Sequence, residues 1–193
     1  MTIFPEEPKL EKAEEKDGVE IRRLVEDHYT FVPMWLGYSL EIAVKAGYKT
    51  DGASVRQMKS EWEDKEAYKQ LVRALRNRCP LEDIESIVKR LVGQPWDMPR
   101  LLAAVPHDGL YGLKWSCRWL CDQVYRHILL ATDYEWFRRE IEYDLIRLVG
   151  WRNWNAVTQK EKKETKSFVS VRWVRTKKVP SIIAKLRKEQ DNA

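Results

Sequence analysis

Apolar residues in the second half of the chain recur every three or four positions, which is the spacing of one buried face of an α-helix. After Ser116, a candidate N-cap, they stand at Cys117, Cys121, Val124 and Ile128. Between Asp133, a candidate cap, and Gly150, a candidate stop, they stand at Tyr134, Phe137, Ile141, Leu145 and Leu148. The two stripes predict helices near 116–130 and 133–149. The segment that precedes them predicts a third helix near 99–112.

Strand-like patterns flank this helical centre. They predict short extended segments at Val19–Val25, Tyr29–Val32, Tyr38–Lys45 and Phe168–Arg175. Residues 160–166 are densely charged and indicate a linker, and residues 180–188 indicate a short basic helix. The resulting fold class is mainly α with a small β-sheet, that is, α+β.

The same patterns predict the domain organisation. Residues 1–17, rich in charge and containing two prolines, indicate a charged tail. Residues 18–157 form a single core domain, and residues 158–193 a basic C-terminal extension. Helical periodicity in Glu61–Arg78 and Leu81–Leu91 predicts a helix pair inserted at about 55–96, whose surface could cover a site or bind a partner.

Composition narrows the class of protein. The 193 residues are 44% hydrophobic and 34% charged, which is typical of a globular protein rather than a disordered one. We find neither a signal peptide nor an apolar run of the roughly 20 residues that a membrane-spanning helix needs. Three cysteines leave one unpaired in any disulfide scheme, and this favours a reducing compartment.

The segment Ala104–Leu113 carries the clearest chemical signal. A histidine titrates near neutral pH and can act as a general base, so His107 is the candidate base. Successive helical residues diverge by about 100°, so Asp108 would point away from its neighbour and could hold a metal ion. Pro106 requires that the helix either begin near it or kink there.

The order of motifs around this histidine resembles a known family. The chain reads GYKTDGAS, then AAVPHDGLY, then DQVY, then EYDLIRLVG, over roughly residues 40–150. This order resembles a bacteriophage and prophage family of unassigned function, with a Thr-Asp-x-Ala-Ser turn and a His-Asp-x-x-Tyr helix. More distantly, it resembles the catalytic core of the bacterial-type phospholipases A2. The second resemblance implies a three-helix core of the phospholipase A2 kind.

The phospholipase resemblance also implies roles for individual residues. His107 would be the general base that takes a proton from water, and Asp122 the buried carboxylate that accepts a hydrogen bond from its other ring nitrogen. Tyr111 and Tyr125 would donate hydrogen bonds to Asp122 and keep its carboxylate fixed.

The same resemblance implies a calcium ion. Asp108 would ligate it, and the step from Asp51 to Gly52 would add backbone carbonyl oxygens. The ion would polarise an ester carbonyl and stabilise the oxyanion formed on it. We therefore expect a calcium-dependent carboxylic-ester hydrolase acting on lipid.

Two other classes of function stay open. The helical core could serve as the scaffold of a phage structural or interaction protein, in the virion or bound to phage or host proteins in the host cytoplasm. Alternatively, the basic C-terminus could contact nucleic acid or another anion through Arg172, Trp173, Arg175, Lys177 and Lys178. The tryptophans of the helical unit could lie at a lipid interface, but their spacing favours the core. The oligomeric state is not set by the sequence.

Overall fold

The computed structural model describes residues 7–16, 19–50, 73, 98–132, 134 and 136–190. The strands are β1 (Leu10–Lys16), β2 (Val19–Leu24), β3 (His28–Pro33), β4 (Tyr38–Val44), β5 (Lys49–Thr50) and β6 (Val169–Arg175). The helices are α1 (Met98–Leu113), α2 (Arg118–Ala131), α3 (Trp136–Ala156), α4 (Gln159–Phe168) and α5 (Val179–Gln190). The predicted α+β class is confirmed. The predicted helix pair at 61–91 lies outside the described residues.

The strands form two antiparallel sheets of three strands each, in the orders β1-β2-β5 and β3-β4-β6. Strand β1 pairs with β2 from Leu10 opposite Leu24 to Lys16 opposite Val19. Residues 10–16 are therefore not the tail that their charge predicted. Oppositely charged side chains, such as Arg23 and Glu11, form exposed ion pairs across this hairpin. The charges from which a tail was predicted therefore lie on the surface of a sheet.

The second sheet separates two hydrophobic clusters. Side chains alternate across a strand, so Leu40, Ile42 and Val44 of β4 face the large core beneath α1 and α2. The opposite face carries Phe31, which packs with Val179 and Ile183 of α5. Because β6 pairs with β4 along its full length and α5 covers the sheet, residues 169–190 complete the fold rather than extend from it.

The three predicted central helices are present, with different ends. Helix α2 has Cys117 rather than Ser116 at its N-cap, and no side chain caps it. Helix α3 continues through Gly150 to Ala156, so this glycine does not end the helix. A Cβ at Gly150 would lie 2.7 Å from the Tyr111 hydroxyl, and the glycine therefore allows a close approach of α1 and α3. Pro106 lies inside α1.

Helix α1 also approaches the C-terminal segment through glycines. A Cβ at Gly112 would lie 2.6 Å from Thr165 Oγ1 on α4, and one at Gly109 would lie 3.1 Å from Val169 Cγ1. Residues 159–168, predicted as a linker, form α4 because Thr158 and Glu161 make a capping box, in which each side chain accepts from the other's backbone N–H. None of the described helices is long and apolar enough to cross a membrane.

Candidate functional site

The predicted contact between His107 and Asp122 is present. Helix α1 carries His107 and helix α2 carries Asp122, and His107 Nε2 lies 3.2 Å from Asp122 Oδ1. Both side chains are buried, with 5% of His107 and 0% of Asp122 exposed. Since an ionised carboxylate can only accept, Nε2 carries the proton and donates it to Asp122. In neutral His107, Nδ1 is then the basic nitrogen.

Two further donors and a nearby guanidinium surround the Asp122 carboxylate. The Tyr111 hydroxyl donates to Oδ1 at 2.5 Å, as predicted, and Arg147 Nη1 from α3 donates to Oδ2 at 2.5 Å. Arg118 Nη1 lies 3.8 Å from Oδ2. Burial raises the pKa of Asp122, but the hydrogen bonds from His107, Tyr111 and Arg147 outweigh it and hold that pKa below its ordinary value. Asp122 is therefore an anion fixed from three helices.

The sequence reasoning missed both arginines. Arg118 stands four residues before Asp122, on the same face of α2, so its position could have indicated a partner. Arg147 lies within the EYDLIRLVG motif, but nothing in the spacing of that motif shows which side of α3 faces Asp122. This contact depends on how α3 packs against α2.

The prediction that Tyr125 donates to Asp122 is wrong. Its hydroxyl donates to Glu142 Oε2 at 3.0 Å. Glu142 also accepts from Tyr134 and from the buried Arg100 guanidinium. Helix α3 thus presents a second buried carboxylate to Tyr125, and burial raises the pKa of this tyrosine well above its ordinary value. Tyr125 still touches His107 edge-on, with ring centroids 5.2 Å apart.

The second ring nitrogen of His107 has no hydrogen-bond partner among the described residues, although it is buried. It lies 3.8 Å from Asp108 Oδ1, which is beyond hydrogen-bond distance. Burial lowers the pKa of His107, but Asp108 and Asp122 more than offset this effect, so the pKa lies above its ordinary value. The ring also contacts the Tyr111 ring at an interplanar angle of 42°, with centroids 4.2 Å apart.

Asp108 connects this histidine to a pocket. Its Oδ2 accepts a hydrogen bond of 2.5 Å from the Thr50 hydroxyl on β5. Both residues line a cavity of about 630 Å³ between β5, α1, α3 and α4, and Tyr111 and Asn153 line it as well. This volume suits a small organic molecule. Asp108 therefore lies both at this cavity and 3.8 Å from His107 Nδ1.

The predicted calcium site is only partly described. Asp51 and Gly52 lie outside the described residues. Side-chain oxygens line the cavity, among them those of Thr50, Asp108, Asn153, Glu161 and Glu164. Calcium takes about six to eight such ligands, gathered around one point. No group of three His, Cys, Asp or Glu side chains in the described ranges could hold a metal ion. The described residues alone therefore do not complete a calcium site.

The five predicted C-terminal contacts are not on one surface. On β6, Arg172 projects to the side opposite Trp173 and Arg175, because neighbouring residues alternate. Arg172 Nε donates to the buried Glu41 at 2.7 Å, so this guanidinium serves the fold. Trp173, Arg175, Lys177 and Lys178 are exposed.

The helical unit and the residues next to it contain five tryptophans that were expected in the core: Trp115, Trp119, Trp136, Trp151 and Trp154. The expectation holds for two of them. Trp115 and Trp154 pack against the large core. Trp119, Trp136 and Trp151 are exposed, because they lie on the sides of α2 and α3 that face away from it. The helical spacing of these tryptophans therefore does not identify which of them are buried.

No protein-family model, curated protein or solved structure matches this chain.

Proposed function

We propose that the protein hydrolyses carboxylic esters, with His107 as the general base. The observation that carries this proposal is the two-sided environment of the His107 ring. Its Nε2 donates to a fixed aspartate, while its Nδ1 has no hydrogen-bond partner among the described residues and lies beside Asp108, which lines the cavity. A base and a carboxylate that orients it are the two parts that water activation requires.

The reaction follows from these contacts. His107 Nδ1 removes a proton from a water molecule, and the resulting hydroxide attacks the ester carbonyl carbon. The tetrahedral intermediate collapses, the bond to the alcohol oxygen breaks, and the imidazolium returns its proton to that oxygen. Asp122 stabilises the imidazolium and keeps the proton on Nε2, and Tyr111 and Arg147 keep Asp122 ionised.

Calcium stays a prediction of the phospholipase resemblance and of the cavity carboxylate Asp108. If it binds, it would polarise the ester carbonyl. We expect calorimetric titration of the full chain with calcium to give a heat of binding that Asp108→Asn abolishes. Equal binding by both proteins would place the ion elsewhere.

The test of the hydrolase is a set of matched histidine variants. We expect His107→Asn to lower the rate on short-chain and phospholipid esters by about 10²- to 10⁴-fold, which is the usual contribution of a general base. His127→Asn removes an exposed histidine of α2 and is the control, which should keep the wild-type rate. A wild-type protein that hydrolyses no ester, with or without calcium, would refute the proposal.

The pH profile is an independent readout. Only the neutral form of His107 can accept a proton, and its pKa lies above the ordinary value of 6.5. The rate should therefore rise with pH through an inflection above 6.5. Arg147→Gln removes a positive charge from Asp122, so it should move this inflection to higher pH.

A second candidate function is a non-enzymatic phage scaffold, in the virion or in the host cytoplasm. It is favoured by the nearly complete burial of His107, which with Asp122 links three helices through polar contacts. In that case His107→Asn should leave the Asp122 carboxylate poorly satisfied and destabilise the fold by about 1 to 3 kcal/mol. Loss of activity at unchanged stability supports the enzyme, and loss of stability without any wild-type activity supports the scaffold.

A further inference from the structure

The turn between β3 and β4 presents apolar side chains to solvent. Leu36 is 87% exposed and its neighbour Trp35 is 56% exposed. Leu36 has a φ of 58°, a left-handed conformation that is costly for a residue with a Cβ. The turn is nevertheless fixed, because Met34 N–H donates to Tyr38 O at 2.8 Å and Thr176 N–H donates to Gly37 O at 2.9 Å. Leu36 is held outward on a structured tip.

Aromatic rings continue the apolar surface from this tip. Trp35 and Trp173 have ring centroids 6.0 Å apart, and Trp173 and Trp115 have centroids 6.1 Å apart. Trp173 is itself 46% exposed. Tyr38, also exposed, begins β4 directly after the turn. Trp115 is half-buried and supports Trp173 from the side of the large core. We call the exposed residues the tip patch: Trp35, Leu36, Tyr38 and Trp173.

Positive charges border the tip patch. Lys114 precedes Trp115, Arg175 pairs in register with Tyr38, and Lys177 and Lys178 follow in the next turn. No ion pair among the described residues involves any of these four cations. The border therefore carries a positive charge that the described residues do not neutralise.

We infer that the tip patch inserts into the surface of an anionic lipid bilayer. Tryptophan and tyrosine favour the boundary between headgroups and acyl chains, an exposed leucine gains from leaving water, and lysine and arginine pair with anionic headgroups. A nucleic acid would use the cations and the rings but would gain little from an aliphatic tip. The inference does not rest on the hydrolase proposal, since none of these residues belongs to the His107 site.

The test is co-sedimentation of the full chain with vesicles of phosphatidylcholine, alone or with about 30% phosphatidylglycerol. We expect binding to the anionic vesicles and much weaker binding to the neutral ones. Trp35→Ser combined with Leu36→Ser should weaken binding about tenfold or more, since two apolar side chains leave the bilayer. Replacing Arg175, Lys177 and Lys178 by Gln should remove the preference for anionic lipid.

Matched variants separate this effect from others. Trp136→Ser removes an exposed tryptophan of α3 and should bind vesicles like the wild type, as should His107→Asn, whatever its effect on hydrolysis. The inference is wrong if the wild type binds no vesicles, or if Trp136→Ser weakens binding as much as the tip variant does. A third outcome would also contradict it: the wild type is a dimer that does not bind vesicles, and the tip variant is a monomer. The patch would then be a contact between two copies of the chain.

Discussion

Replacing Gly150 by alanine tests whether the packing of α1 on α3 positions the Tyr111 hydroxyl. The new Cβ would lie 2.7 Å from that hydroxyl, which is too close for either atom to stay in place. The Tyr111 ring has little room to move, because the His107 ring contacts it at a tilt and Trp154 contacts it edge-on with centroids 5.1 Å apart. We therefore expect the hydroxyl to lose its hydrogen bond to Asp122.

Two opposing effects determine how much Gly150→Ala changes the free energy of unfolding. Alanine is favoured over glycine inside a helix by about 1 kcal/mol. Loss of a hydrogen bond to a buried carboxylate costs about 1.5 to 3 kcal/mol. Gly150→Ala should thus lower the free energy of unfolding by about 0.5 to 2 kcal/mol in the wild-type background. In a Tyr111→Phe background the obstructing oxygen is gone, and the same substitution should raise stability by up to about 1 kcal/mol.

The assay is urea denaturation of the four proteins of this double-mutant cycle at neutral pH. The decisive result is the sign of the alanine effect, which should reverse between the two backgrounds. Asn155→Ala, at an exposed position of the same helix, is the control and should have equal effects in both. If Gly150→Ala destabilises both backgrounds equally, the steric reasoning is wrong.

Two further predictions concern the sheet β3-β4-β6. Burial lowers the pKa of His28 from 6.5 to about 4, so the unfolded state binds more protons between these values and stability should fall by on the order of 3 kcal/mol as the pH is lowered through them. His28→Asn should remove this part of the pH dependence in urea titrations at several pH values, and an unchanged slope would contradict it. Arg172→Gln should cost about 1 to 3 kcal/mol, because it leaves the buried Glu41 carboxylate without its donor. Arg175→Gln, on the same strand, is the control, and equal thermal stability of the two variants would argue against the pairing.

The sequence predicted elements whose signal is local. The stripe through Cys121 and Val124 identified α2, and the extended residues 38–45 identified β4 to within one residue. Glycine was misread, because Gly150 combines a local helix-ending signal with a tertiary role that only the position of Tyr111 reveals. Residues 160–166 were predicted as a linker because of their dense charge, although the capping box of Thr158 and Glu161 is a signal for the start of a helix.

Some contacts of the candidate site were likewise predicted from the sequence, and others were not. The pairing of His107 with Asp122 was implied by the phospholipase resemblance of the motif order, and the structure has this contact. The partner of Tyr125 did not follow, because Glu142 competes for its hydroxyl from a helix whose rotation the sequence does not specify. Arg147 was missed for the same reason.

The pairing of β4 with β6 has a consequence for synthesis of the chain. Val44 pairs with Val169 and Tyr38 with Arg175, so the two strands are separated by more than half of the sequence. While a ribosome is still making the intervening residues, one edge of β4 is exposed and able to pair with another chain. Contacts between such distant segments also slow folding, because a long loop must close first. We therefore expect the nascent chain to need protection from aggregation until β6 emerges, and truncations before residue 169 to be insoluble.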